Sequence, residues 1–320
     1  MWLLVNGGYD AWMEMRHLHT FVIAAELQSF SRAAEVLGLT QAAVSQHIAA
    51  FERELDALVF DRGPRSVTLT DTGRRVYEHA RTILSLVDDI HQAAGQARFE
   101  VRGTIRIACS TVPSEWLLPE LLLRFRELYP EVQESVSVSD SVAAIHAIES
   151  GTAEVGLVGE LPRAANLCAK SIAQDELTLV VAPEHEFARS NGIRPDDLRG
   201  QPLIVREPDS GSRRCVEQAL SNAGLATTDL TFSMEVNSND AIRAAVERGV
   251  GISFLSTQAI AREIQDKRLI AVDIEGFRAV RDLYLITDPQ RLPTRVARAF
   301  LEFLEDWRRS ADGQATARPR

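Results

Sequence analysis

Between Ser29 and Leu55 the chain reads SFSRAAEVLGLTQAAVSQHIAAFEREL, and few folds can use such a stretch. Just before it, Leu18, Phe21, Val22 and Ala25 recur at helical spacing, which predicts a first helix from about His17 to Leu27. Ser31 is a candidate cap for a second helix whose Ala34 and Leu37 face inward. Gly38 stands where a helix end commonly needs a positive φ. Thr40 then caps a third helix, Gln41 to about Leu55, along which Val44, Ile48, Phe51 and Leu55 form one apolar stripe. Small alanines on both sides of the turn let two helices cross closely.

The other face of the third helix points to a partner. Its first two turns carry Gln41, Ala42, Ser45 and Gln46, with no carboxylate, and the acids Glu52 and Glu54 come only at the far end. A helix entering a DNA major groove wants this order: amides that pair with base edges, small residues that permit approach, and no like charge near phosphate. The plain alternative is a helical hairpin at the edge of a larger domain. Leu58–Arg62 and Ser66–Leu69 decide against it, reading as two short strands around Gly63-Pro64-Arg65. That is a wing, with Arg62 and Arg65 placed to meet backbone phosphates. Charge alone argues the other way, since the chain carries −10 and Met13–Leu69 has five arginines against seven acids. Local geometry has to outweigh that charge.

From Thr70 the sequence TDTGRRVYEHARTILSLVDDIHQAAGQAR contains no proline. Val76, Ile83, Ile90 and Ala97 fall at sevens, with Ala80, Leu84, Val87 and Ala94 interleaved. A seam this long predicts a partner helix, more than the small winged domain alone could cover. Two winged domains paired this way would read two half-sites.

After Gly103 the pattern changes to strands alternating with helices. Strands are predicted at Thr104–Cys109, Val132–Val138, Val155–Val158, Leu177–Val181, Leu203–Val205, Phe232–Val236, Gly251–Leu255 and Leu283–Thr287. Between them helices fall at Ser114–Leu128, Asp140–Glu149, Ser212–Ala223 and Asn239–Arg248, and Pro293–Arg309 closes the chain. This argues an α/β class with two lobes, crossed near Ala173 and near Ile274. The expected organisation is a disordered or mis-annotated start over 1–14, a winged helix-turn-helix over 15–69 and a linker helix over 70–98. A two-lobed domain over 103–310 follows, with lobe 1 at about 103–173 and 275–310 and lobe 2 at about 174–274, then a disordered tail over 311–320.

Ligands in such sheets sit beyond the carboxyl ends of strands, near helix starts. Ser110-Thr111, Ser210-Gly211-Ser212 before Arg213, and Asn237-Ser238-Asn239 all meet that description, and Ser114 and Gly159 complete the expected lining. Each could be ordinary capping, but three together predict a cleft for a small anion or polar metabolite. Catalysis finds no support: there is no phosphate loop, nucleophile elbow, metal-ligand spacing or CxxC, and no cofactor is expected. Cys109, Cys168 and Cys215 are too few and scattered for a disulfide framework, which suggests a reducing cytoplasm. No stretch approaches a membrane span, and the opening MWLLVNGGYDAWMEM is a poor secretory signal.

From about Met15 to Arg309 the chain resembles the LysR-type transcriptional regulators. The resemblance is carried by the helix-turn-helix, by VFDRGPRSVTLTDTG, and by LLPELLLRFRELYP, REPDSGSRRCVEQAL and AIRAAVERGVGISFLSTQAI. It implies a winged helix-turn-helix, a linker helix pairing two subunits, and an effector domain like a type 2 periplasmic binding protein. It also implies a homotetramer on promoter DNA, with RNA polymerase as a further partner and a small co-inducer in the cleft. Carried onto this chain, Ser31, Thr40, Gln41, Ala42, Ser45 and Gln46 would face the groove, and Ser110 and Thr111 would line the inducer cleft. The family usually has proline where Ala42 stands and arginine where Gln46 stands, so base-level readout does not carry over. CSTVPSEWLLPELL with VSDSVAAIHAIESGTAEVGLVGE looks most like the branch tied to inorganic sulfur, sulfite and selenium, and somewhat like regulators of carbon-fixation genes. The sulfur likeness implies an oxyanion held by Ser110 and Thr111 with Arg213 or Arg206 nearby. A transport-type solute-binding protein or an enzyme on the same two-lobed fold are the alternatives.

Overall fold

The computed structural model describes residues 13–62, 67–93, 101–162 and 166–310. The chain divides into two compact units, one of residues 1–99 and 293–295, the other of residues 100–292 and 296–320.

In the first unit α1 (Met15–Leu27), α2 (Phe30–Leu37) and α3 (Gln41–Leu55) precede β1 (Phe60–Arg62), β2 (Val67–Leu69) and α4 (Asp71–Ala93). The apolar stripe of α3 goes where its spacing directs it: Val44, Ile48 and Phe51 are fully buried, and Leu55 packs at the margin. Phe51 stacks on Phe21 at 4.9 Å, and Phe60 meets Phe21 edge-on at 5.5 Å. The turn before α3 works as its residues require. Gly38 adopts φ +64, its N–H closing α2, and Thr40 Oγ1 accepts from the Ala43 N–H at 3.2 Å. One cap differs from expectation. Ser29, not Ser31, caps α2, accepting from the Arg32 N–H at 3.3 Å. Starting the helix at Phe30 turns that ring into the core against Phe60, which places Ser31 on the exposed side.

The wing strands pair antiparallel, Phe60 opposite Leu69. Glu52 is buried, and its Oε1 accepts from the N–H groups of Val59 and Phe60 at 3.1 and 3.4 Å, tying α3 to the start of the wing. On α4, Tyr77 and Ala80 join this core, whereas Ile83, Leu86 and Ile90 are exposed. Ala94 and Ala97, at the far end of the predicted seam, lie outside the described residues.

The second unit has two lobes woven from shared strands. Its elements are β3 (Gly103–Ser110), α5 (Thr111–Glu115), α6 (Leu117–Leu128), β4 (Val132–Ser139), α7 (Ser141–Glu149), β5 (Val155–Val158) and β6 (Cys168–Val181). After these come β7 (Pro202–Arg206), α8 (Gly211–Asn222), β8 (Thr231–Val236), α9 (Asn239–Glu247), β9 (Ser253–Ser256), α10 (Ala261–Gln265), β10 (Ile270–Val272), β11 (Ala279–Thr287) and α11 (Arg295–Arg309). In lobe 1, β4 and β5 flank β3 in parallel, and β11 returns antiparallel between β5 and the first half of β6. In lobe 2, β9 and β10 flank the second half of β6, and β7 and β8 lie parallel beside them, joined at the Leu203–Ile252 bridge. Separate apolar clusters fill the lobes, one around Phe125, Leu121 and Phe300, the other around Leu220, Ile252 and Leu179.

Three predicted elements change. The helix expected over Ser114–Leu128 is two, broken at Trp116. Pro119 has no N–H for the Glu115 carbonyl, so an unbroken helix is excluded there and Pro119 sits in the first turn of α6 instead. β6 starts nine residues before the predicted Leu177, and β11 four before Leu283; their early halves carry Lys170, Gln174, Arg281 and Asp282 among apolar residues. β11 runs from Ala279 in the lobe 2 core to Leu283 in the lobe 1 core, so the second crossing falls later than Ile274.

Candidate functional site

Two sites follow from these elements. The first is the outer face of α3. Gln41, Ala42 and Gln46 are exposed and Ser45 half-buried, and no acid lies in the first turn. Thr40 uses its hydroxyl for the cap. Gln46 borders a shallow depression with Arg16, His17, His47 and Arg53. His47 contacts Thr20 Oγ1 at 2.9 Å and tilts against His17 at 5.1 Å. Burial, helped by the neighbouring His17 and Arg16, lowers its pKa from the ordinary histidine value. Arg62 belongs to β1, but its side chain and the whole of Arg65 lie outside the described residues.

The second is the cleft between the lobes of the second unit. Two helix starts converge there. Asp140 caps α7, accepting from the Ala143 N–H at 2.8 Å, and Ser210 caps α8 through the Arg213 N–H. Ser110, Thr111, Ser141, Ser210, Gly211 and Ser212 line a cavity of about 20 Å³ with Asp140, Arg206, Glu207 and Arg281. That volume holds roughly one water. A chain of contacts spans it. Arg206 Nη1 donates to Asn239 Oδ1 at 2.6 Å, and Asn239 Nδ2 donates to Glu115 Oε1 at 3.0 Å, joining lobe 2 to lobe 1. Burial raises the pKa of Glu115, against the opposing effect of the Asn239 hydrogen bond. Arg214 pairs with Glu160 across the same gap.

Not every expected residue joins the cavity. Ser114 Oγ donates to the Thr111 carbonyl within its own helix turn, at 2.6 Å. Ser238 Oγ caps α9. Arg213 turns away from the cavity. Its Nε donates to Glu217 and its Nη1 to Glu235, both at 2.8 Å, and it lies 5.4 Å over Phe232. Two places past Gly211, its side chain packs instead against β7 and β8, donating also to the Arg206 carbonyl at 2.8 Å, which sequence position alone conceals. Gly159 borders the Arg281 guanidinium. Sequence reasoning missed Arg281 and its partner Asp175; both lie in the polar early parts of β6 and β11, ahead of the apolar runs that mark those strands. The cysteines are free, and burial pushes the Cys109 and Cys215 thiols up, away from the reactive thiolate.

An exposed recognition-type helix with a wing, followed by a two-lobed domain with a narrow polar cleft, defines a DNA-binding regulator governed by a small effector. Residues 15–74 match the description "Bacterial regulatory helix-turn-helix protein, lysR family" and residues 99–309 match "LysR substrate binding domain"; the chain belongs to the LysR family of transcriptional regulators. It is 33% identical over 275 residues to a probable RuBisCO transcriptional regulator of Trichormus variabilis, covering 85% of this chain and 82% of that one. A full-length OxyR variant of Pseudomonas aeruginosa has the same fold with a TM-score of 0.72 at 18% identity, covering 97% and 99% of the chains. The CcmR regulatory domain of Synechocystis PCC6803, solved in complex with 2-PG, aligns with a TM-score of 0.59 at 25% identity, over 64% of this chain and 97% of that one. Among the described residues no helix is long and apolar enough to cross a membrane.

Proposed function

We propose that this regulator docks the first half of α3 in the major groove of promoter DNA, with Gln41, Ala42, Ser45 and Gln46 toward the bases and the wing arginines Arg62 and Arg65 on phosphate. The acid-free, exposed start of α3 carries this reading. The exposed Ile83, Leu86 and Ile90 of α4 support pairing of two copies through that helix, and a tetramer built from such pairs, in the cytoplasm and beside RNA polymerase. The cleft would bind a small oxyanion and thereby set the regulatory state. The starts of α7 and α8, with the hydroxyls of Ser110, Thr111 and Ser212, support that chemistry. The 2-PG bound by the Synechocystis relative and the RuBisCO regulators favour a carboxylate or phosphate compound alongside the sulfur oxyanions. Sensing, not catalysis, is the role this lining suits. The test is binding to a selected duplex at several salt concentrations. Gln46→Ala changes sequence preference, whereas Arg65→Ala weakens all duplexes alike and lowers the salt slope by about 1. A uniform loss from both substitutions overturns the assignment.

A further inference from the structure

Arg281 stands in β11 directly opposite Asp175 of β6, where both strands pass between the lobes. Only 9% of its side chain is exposed. Nε and Nη2 both donate to Asp175 Oδ2, at 3.1 and 3.0 Å. Asp175 is enclosed, and its other oxygen accepts from Ser256 Oγ at 2.5 Å. This clamp fixes the guanidinium plane and leaves one nitrogen over. Nη1, with two N–H groups, donates to nothing among the described residues, and Arg281 lines the cleft cavity. It lies between two glycines. A side-chain carbon built on Gly159 would come to 2.9 Å from Nη1, and one on Gly211 to 3.4 Å.

Arg206, the other cation of the cavity, is differently placed. Its Nε and Nη2 bind both oxygens of Glu207, at 2.7 and 2.8 Å, its Nη1 holds Asn239, and Nη2 also reaches Thr111 at 3.5 Å. Its nitrogens are committed to the protein, whereas Nη1 of Arg281 is a directed, preoriented donor.

We infer that Arg281 Nη1 anchors the effector's anionic group, and that Gly211 keeps open the slot that group enters, while Gly159 leaves room for the guanidinium itself. This rests on the reading of the cleft as an oxyanion site. Asp175 cancels the charge of Arg281, so attraction comes from two aimed N–H groups and the nearby starts of α7 and α8. Such a slot takes one compact planar or tetrahedral head, a carboxylate or the oxygens of a phosphate, sulfate or sulfite, and rejects a head branched at the bound atom. The cavity of about 20 Å³ fits part of such a head, and a longer ligand requires the lobes to part.

The test uses the full chain and titrates 2-PG, inorganic phosphate, sulfate and sulfite by calorimetry and thermal shift. Wild type responds to at least one of these probes, and Arg281→Gln weakens that probe about 10- to 100-fold, the range for a lost charge-assisted hydrogen bond. Because that change leaves Asp175 without its partner, Gly211→Ala is the second variant. Gly211 lines the cavity, and its added carbon would lie 3.4 Å from Nη1 and no closer than 3.3 Å to any atom. It crowds the approach to Nη1 without overlapping the guanidinium, and the same probe weakens by about tenfold. If Arg281→Gln does not fold, Gly211→Ala decides alone. A folded Arg281→Gln, or a Gly211→Ala, that binds as wild type does overturns the anchor and leaves the oxyanion cleft standing. If no probe moves wild type, the oxyanion cleft itself falls, and the anchor with it.

Discussion

The proposed reading face of α3 and the proposed effector cleft use one device in two settings. Each presents a helix start capped by a hydroxyl, Thr40 for α3 and Ser210 for α8, with no acid in the first turn. A helix start favours negative charge wherever it occurs. What differs is the surroundings. Around α3 lie exposed amides and small residues over a single core, a surface open to a polymer of phosphates. Around α8 lie two arginines, each already paired with a carboxylate, in a seam between two cores. The chemistry of the helix start is generic, and the neighbours decide whether it meets DNA or a metabolite.

The strongest way to break this comparison is to remove a core. Phe51 is fully buried against Phe21, and Phe51→Ala costs the winged unit about 3–5 kcal/mol. Duplex binding is expected to fail on warming while anion titration of the cleft persists, both read on the same sample. Joint loss would mean that the two sites do not rest on separate cores. A smaller effect sharpens the turn between α2 and α3. Gly38→Ala places a side chain at φ +64 with open space around it, so the cost, about 1 kcal/mol in chemical denaturation, is backbone strain alone.

The smallest effect concerns Glu115, which reaches across the cleft to Asn239. Burial raises its folded pKa above 4.5, so the folded protein holds a proton that the unfolded chain releases. That contribution is fully present below pH 4.5 and is lost as pH rises through the folded pKa. Glu115→Gln keeps the acceptor for Asn239 and cannot ionise. Its melting temperature should exceed that of wild type at pH 8 and match it near pH 4, and equal midpoints at pH 8 would refute the desolvation account.

Much of the winged unit was legible because its signals are local. The stripe Val44, Ile48 and Phe51, the positive φ of Gly38 and the cap at Thr40 each depend on residues within one or two turns. Ser31 was misread as a cap because Ser29 offers the same hydroxyl two places earlier, and only the burial of Phe30 chooses between them. In the effector unit the strand-to-helix turns marked Ser110, Thr111, Ser210 and Ser212 as cavity lining, since that geometry too is local. Arg281 and Asp175 were hidden, being 106 positions apart. Each taken alone looks like the polar end of a strand, and only pairing of β6 with β11 makes them a clamp. Arg213 was over-read for the converse reason: being next to a cap says nothing about which way the side chain leaves the helix.

The weave of β6 and β11 has a consequence for how such a molecule could be taken apart. Ala173 and Leu283 are direct partners across the two strands, and the whole of lobe 2 lies on the stretch of chain between them. Topologically lobe 2 is one very long hairpin loop hung from lobe 1. Its two attachment points are already side by side, so a two-residue Asn-Gly turn could close the excision and leave lobe 1 with its strand order intact. The half-cleft left behind would keep Ser110 and Thr111 on lobe 1, stripped of everything lobe 2 brings to it.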